Sequence, residues 1–203
     1  LALARMTVET SDAPPLPTTD GEVVVVTDPH YNTLLVHEIV GHPSELDRAM
    51  KMEAGYAGRS WLFNDLNDTR VGERVGSPLV NAVSDANIEG YGNFPYDHEG
   101  TPSRRVWHIR DGIFEEFLNS RQTAAIMGVS PNGGYRANDA SMVPLIRMTN
   151  TFFLSGESDA DTLIKEVDHG YYVKGNRIPS ISESRENFRI SAMQIFEIEH
   201  GEL

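Results

Sequence analysis

Two histidines and a glutamate stand close together in His37-Glu38-Ile39-Val40-Gly41-His42, the pattern H-E-x-x-x-H. These side chains are the parts of a hydrolytic zinc centre. Imidazoles bind the ion, and the neighbouring carboxylate takes a proton from water that the ion has acidified. Random placement of the chain's histidines and glutamates gives roughly 0.02 matches to the pattern, so coincidence explains it poorly. The spacing is a complication. Histidines at i and i+4 lie about 40° apart around an α-helix and share a face, whereas i and i+5 lie about 140° apart. On a regular helix the two rings meet different neighbours, and the rival reading is a pair of unrelated histidines on an amphipathic helix. Two local changes reunite them. A π-bulge puts one more residue into the turn, or the helix ends at Gly41 and His42 turns back. Gly41 lacks a Cβ to clash and permits either, and Pro43 opposes easy continuation.

The helix that must carry these residues starts at Asp28-Pro29, with Asp as N-cap and Pro at the first helical position. Leu34, Leu35, Ile39 and Val40 then form an apolar stripe, so the spacing predicts a helix over 29–42. The valine run at 22–27 has the length and composition of a buried strand. Residues 1–9 have helix-forming composition, and the proline-rich 11–17 stops it. Residues 1–20 are therefore expected to be the tail of a preceding domain plus a linker, and 21–203 the core domain. Beyond the motif, 46–53 can continue as helix, and 54–75 reads as a long loop rich in Gly, Asn and Asp. Strands are expected at 79–83, 105–109, 113–118, 151–154 and 188–198, with Asp111-Gly112 closing a hairpin between the second and third. Helices are expected at 119–128, ending at Gly128, and at 159–169. The fold class is α+β, a mainly antiparallel sheet with one motif-bearing helix and a few short helices.

The composition narrows the function. Thirty acidic residues against 17 Lys and Arg give a formal charge of −13, and there is no cysteine. Nucleic-acid affinity rests on Lys and Arg neutralising phosphates, so direct DNA binding is disfavoured. A thiolate nucleophile or sulfur-ligated metal is excluded for these residues alone. No apolar run approaches the roughly 18 residues of a membrane span.

The neighbourhood of the motif resembles the TldD/PmbA family, long described as gyrase modulators and understood as zinc peptidases. Three ordered segments carry the resemblance: 37–47, which reads HEIVGHPSELD, 96–102, which reads YDHEGTP, and 147–151, which reads RMTNT. Weaker echoes lie at 130–136 and 187–190, so the likeness spans about 22–203. An active branch of the family keeps H-E-x-x-x-H and a partner branch has lost it; this sequence looks like the active branch. The resemblance implies that His37 and His42 bind Zn2+, that Glu38 is the general base, and that a third ligand is a cysteine in a Cys-Gly-Lys segment near the family's C-terminus. These residues stop at Gly201-Glu202-Leu203 without it, and family members carry a further N-terminal domain, so the chain is expected to be an internal piece. The resemblance further implies a cytoplasmic enzyme, a homodimer or a heterodimer with a related subunit, and an unfolded peptide laid along a sheet edge.

Other residues keep two readings each. Glu45, three residues after His42, is either a carboxylate supporting the metal ligands, or standing in for one, or a solvated helix-end acid. Asp97, His98 and Glu99 either touch substrate or are merely solvated. Arg147 either pairs with a substrate carboxylate or closes a structural ion pair. His30, His108, His169 and His200 have no ligand spacing and read as surface residues, and Met127, Met142, Met148 and Met193 as core or gap-filling. The function expected is a zinc-dependent peptidase acting on unfolded or extended peptides. The alternative is a non-catalytic binding subunit of a dimer of this type, against which the intact Glu38 argues.

Overall fold

Asp28 begins the motif-bearing helix as its sequence suggests: its Oδ1 accepts from the backbone N–H of Tyr31, 2.6 Å, and of Gly175, 3.0 Å. The computed structural model describes residues 2–16, 20–52 and 58–203. Leu1, residues 17–19 and residues 53–57 lie outside these. With them go the first residue of the expected N-terminal helix, the end of the proline-rich linker, and the junction between the 46–53 stretch and the loop after it.

In chain order the strands are β1 (Val24–Thr27), β2 (Phe63–Asp65), β3 (Asp68–Thr69), β4 (Ala82–Asp85), β5 (Arg105–Arg110), β6 (Ile113–Phe114), β7 (Tyr135–Arg136), β8 (Leu145–Ile146), β9 (Thr151–Phe153), β10 (His169–Ile181) and β11 (Phe188–Glu199). Most pairings are antiparallel and the helices are short, an α+β architecture. Among the described residues no helix is long and apolar enough to cross a membrane. The chain divides into two units. One comprises Leu1–Leu34, Glu157–Pro179 and Arg189–Leu203, the other Leu35–Gly156 and Ser180–Phe188.

The first unit holds the helix Ala2–Asp12, β1, the start of the motif helix, the helix Ala160–Lys165 and most of β10 and β11. Here β1 runs parallel to β10, with Val24 opposite Gly170 and Thr27 opposite Val173. Because β1 is the edge of a three-stranded sheet, Val24 and Val25 are 54% and 46% exposed, not buried as their composition suggests. The expected 159–169 helix stops at Lys165, and β10, unanticipated from the sequence, begins at His169.

The second unit is built on a four-stranded antiparallel sheet in the order β6-β5-β4-β9. All four β4 residues are buried, and Val40, Leu46, Val106, Phe114, Leu118 and Ile146 belong to the core packed around the sheet. The hairpin turn of β5 and β6 falls on Asp111 and Gly112, both at positive φ (49° and 77°), as a two-residue turn of this kind requires. Three expectations shift. Pairing after this turn covers Ile113–Phe114 and not all of 113–118; the 54–75 loop contains the β2–β3 hairpin; and the 79–83 strand moves to Ala82–Asp85, leaving Leu79 exposed. The β7–β8 pair is an addition. The 119–128 helix forms over Arg121–Met127, between a Ser120 capping box and Gly128 at φ 69°.

Candidate metal centre

The spacing problem is solved by the backbone. The helix is α over Pro29–Val36, becomes π over His37–Gly41, and tightens to 3-10 over His42–Ser44. The N–H of His42 donates to the carbonyl of His37, five residues back. A π turn puts i and i+5 side by side, and the two imidazole centroids are 4.4 Å apart with the rings edge to face at 80°. One ligand atom each from His37, Glu38 and His42 lies within 4.8 Å of the others.

Gly41 has an ordinary helical backbone, φ −61° and ψ −62°. Conformational freedom is therefore not what this position needs. A Cβ here would come within 1.9 Å of Met148 Sδ, and that close approach is the reason for glycine. Downstream, the backbone is tied on both sides of Glu45: Leu118 N–H donates to the Ser44 carbonyl and Leu46 N–H to the Leu118 carbonyl.

Glu45 is fully buried, and its Oε2 lies 2.9 Å from His42 Nδ1. Arg48, also buried, donates to the same oxygen through Nε and Nη2 at 3.1 and 2.8 Å. Burial alone pushes the Glu45 carboxyl up, but the hydrogen bonds and charges of His42 and Arg48 outweigh it and hold it below the usual carboxylate range. An anionic oxygen facing an imidazole nitrogen calls for a proton between them, so His42 carries its hydrogen on Nδ1 and leaves Nε2 for an ion. Arg48 Nη2 also lies 3.0 Å from that Nδ1; with the hydrogen on Nδ1 both are donors, and what they share is the Glu45 oxygen. Partial desolvation, and then the charge of His42, push His37 below the ordinary imidazole value, which favours the neutral, ligating form. Two imidazoles on one side of a turn, one tied back through a carboxylate, are a donor set that suits zinc.

Glu38 is oriented by a residue remote in sequence: Arg185 Nη1 donates to Glu38 Oε2. Both side chains are mostly shielded from water. Sequence reasoning named neither arginine. Arg48 was discoverable from its i,i+3 relation to Glu45, whereas nothing in the sequence ties Arg185 to Glu38.

The structure thus brings His37, Glu38, His42 and Glu45 together. The described hydrogen bonds of Asp97, Glu99 and Arg147 go elsewhere. Asp97 is buried and accepts from the N–H groups of Glu99, Thr101 and Tyr135; Glu99 accepts from Arg121 N–H; Arg147 Nη1 donates to the Ile146 carbonyl. His98 Nδ1 accepts from Ala137 N–H. His30 and His200 are exposed, but His108 is fully buried, in correction of its surface reading. Its Nδ1 donates to the Glu116 carbonyl, 2.9 Å, and its Nε2 accepts from Ser84 Oγ, 2.8 Å. His169 is exposed beside Glu197 and Glu199. Met148 is buried, whereas Met142 is 59% exposed and does not fill a core.

Known proteins share much of this sequence and its fold. The profile of a family described as the PmbA/TldA metallopeptidase C-terminal domain matches residues 20–203. A metalloprotease of Methanocaldococcus jannaschii is 34% identical over 188 residues, covering 92% of this chain and 39% of its own. A metalloprotease TldD homolog of Haemophilus influenzae is 33% identical, covering 90% and 36%. The crystal structure of TldE from Thermococcus kodakarensis superposes with a TM-score of 0.72 at 24% identity, covering 92% of this chain and 40% of that one. The chain therefore spans about two fifths of the length of these relatives.

Proposed function

Because the chain belongs to the TldD/PmbA family of metallopeptidases, we propose that it carries the metal-binding and proton-transfer residues of a zinc peptidase acting on unfolded or extended peptides. The observation that carries this reading is the π turn, which sets the His37 and His42 rings side by side with Glu38 between them in sequence. His37 and His42 would hold the ion, His42 through Nε2 while Glu45 keeps its Nδ1 occupied. Zinc bound there supplies a polarised scissile carbonyl and a water whose pKa falls to about 7. Glu38 accepts the proton of the attacking water and returns it to the leaving amine. One of its carboxylate oxygens is engaged by Arg185, and the other receives the proton.

The proposal extends to the rest of the assembly. Residues 21–203 form the metallopeptidase core, supported by the family match over 20–203. The enzyme is cytoplasmic and works as a dimer with a second copy or a related subunit; the fold shared with TldE is the support for a related partner. Peptide lies along a sheet edge, bound through its backbone. Asp97, Glu99 and Arg147 shape the loops on which such a peptide would rest, as their hydrogen bonds to backbone groups support.

The test is zinc content and turnover of an unfolded peptide by the complete gene product and two variants. Glu38→Gln keeps zinc and peptide binding but loses about 10²–10⁴ in rate, the usual loss with a general base. His37→Ala loses zinc along with activity. Cleavage by Glu38→Gln at the wild-type rate contradicts the mechanism, and a wild type that binds peptide without cleaving it is the non-catalytic subunit instead.

A further inference from the structure

Arg185 lies at the tip between β10 and β11, 147 residues from the glutamate it pairs with. The tip is anchored independently of that pair. Arg59 N–H donates to the Glu183 carbonyl and Trp61 N–H to the Ser184 carbonyl, each at 2.9 Å, while Arg185 N–H closes the turn onto the Ser182 carbonyl. Arg185 itself sits at φ 66°, a left-handed conformation that side chains with a Cβ rarely adopt. An arginine held there, on a tip pinned by its neighbours, delivers a guanidinium to one fixed place.

We propose that Arg185 is a positioning residue for the general base: it fixes Glu38 by one oxygen so that the other faces the attacking water. The inference rests on the peptidase reading of the site. Nucleophile, base and a third group that orients the base are the recurring arrangement in hydrolytic sites, and Arg185 supplies the third member from outside the motif. A water acidified to about pKa 7 by zinc needs a well-aimed acceptor more than a strong one. The Nε of Arg185 is buried without a hydrogen-bond partner among the described residues, so no anchor at that nitrogen competes with the Nη1 bond to Glu38.

The experiment compares the wild-type complete gene product with Arg185→Ala and Arg185→Lys. Four quantities are measured: zinc content, kcat, KM on an unfolded peptide, and the Glu38 rotamer in crystals. The expectation for Arg185→Ala is unchanged zinc content, KM within about threefold, kcat down about tenfold to a hundredfold, and more than one Glu38 rotamer. Lysine restores part of kcat, since it returns the charge without the planar fork. An unchanged or raised kcat overturns the inference, the latter because Arg185 would be a brake. Loss of zinc, or a raised KM at constant kcat, overturns it too, in favour of a structural or peptide-binding role. A wild type that lacks zinc and activity overturns the reading of the whole site and the role of Arg185 with it, whereas an active wild type matched by Arg185→Ala overturns this inference alone.

Discussion

The carboxylate of Glu45 holds the Nδ1 of His42 at 2.9 Å from a position with no exposure to solvent. A hydrogen bond of this kind selects the imidazole tautomer and sets the ring's direction before any ion arrives. It also explains why Arg48 is buried beside it: a lone carboxylate at that depth would be expensive, and a paired one is tolerated.

Replacing Glu45 by Gln should therefore weaken zinc binding by about 10- to 100-fold without removing a ligand. It should also destabilise the fold, because Arg48 loses its anionic partner. Chelator competition measures the first effect and urea unfolding the second. Unaltered zinc affinity in a folded Glu45→Gln protein would show that Glu45 serves packing alone.

Much of this centre was legible in the sequence. A site shared at i,i+5 spacing requires a break from α geometry, and of the two breaks the sequence allows, the π turn over His37–Gly41 is the one that forms. The Asp28 cap, the Asp111-Gly112 turn and the Gly128 helix end follow from local chemistry and were readable for that reason. What escaped depended on distant parts of the chain. Met148 explains Gly41, Arg185 orients Glu38, and β1 is an exposed edge because, among the described residues, it pairs with β10 alone. The burial of His108 likewise depends on how its strand pairs with β4, which no local pattern sets.

Gly41→Ala tests the packing explanation. Its new Cβ collides with the buried Met148 side chain, and overpacking of this kind costs about 1–3 kcal/mol. Combining it with Met148→Ala should recover part of the loss, a non-additivity that a double-mutant cycle by urea unfolding reads directly. Independent, additive effects would mean that the glycine is needed for some other reason.

His108 predicts an acid-sensitive fold. Burial pushes its imidazole down to about 4, while the unfolded chain titrates near the ordinary value of about 6.5. The unfolded state thus binds the extra proton first as pH falls. Stability from neutral His108 is complete above about pH 6.5 and is lost progressively down to about pH 4, an amount of about 3 kcal/mol. Unfolding free energies at pH 7.5, 6 and 5 should fall more steeply for the wild type than for His108→Asn. Parallel pH dependences would refute the assignment.

Zinc K-edge X-ray absorption on the complete gene product, beside His37→Ala and His42→Ala, shows whether both imidazoles bind one ion. Two imidazole nitrogens are expected at about 2.0–2.1 Å from the ion. One of them should disappear in each variant, or the zinc should be lost altogether. A wild-type spectrum without imidazole scattering, or one left unchanged by both substitutions, would contradict the claim that the π turn exists to bring His37 and His42 onto one ion.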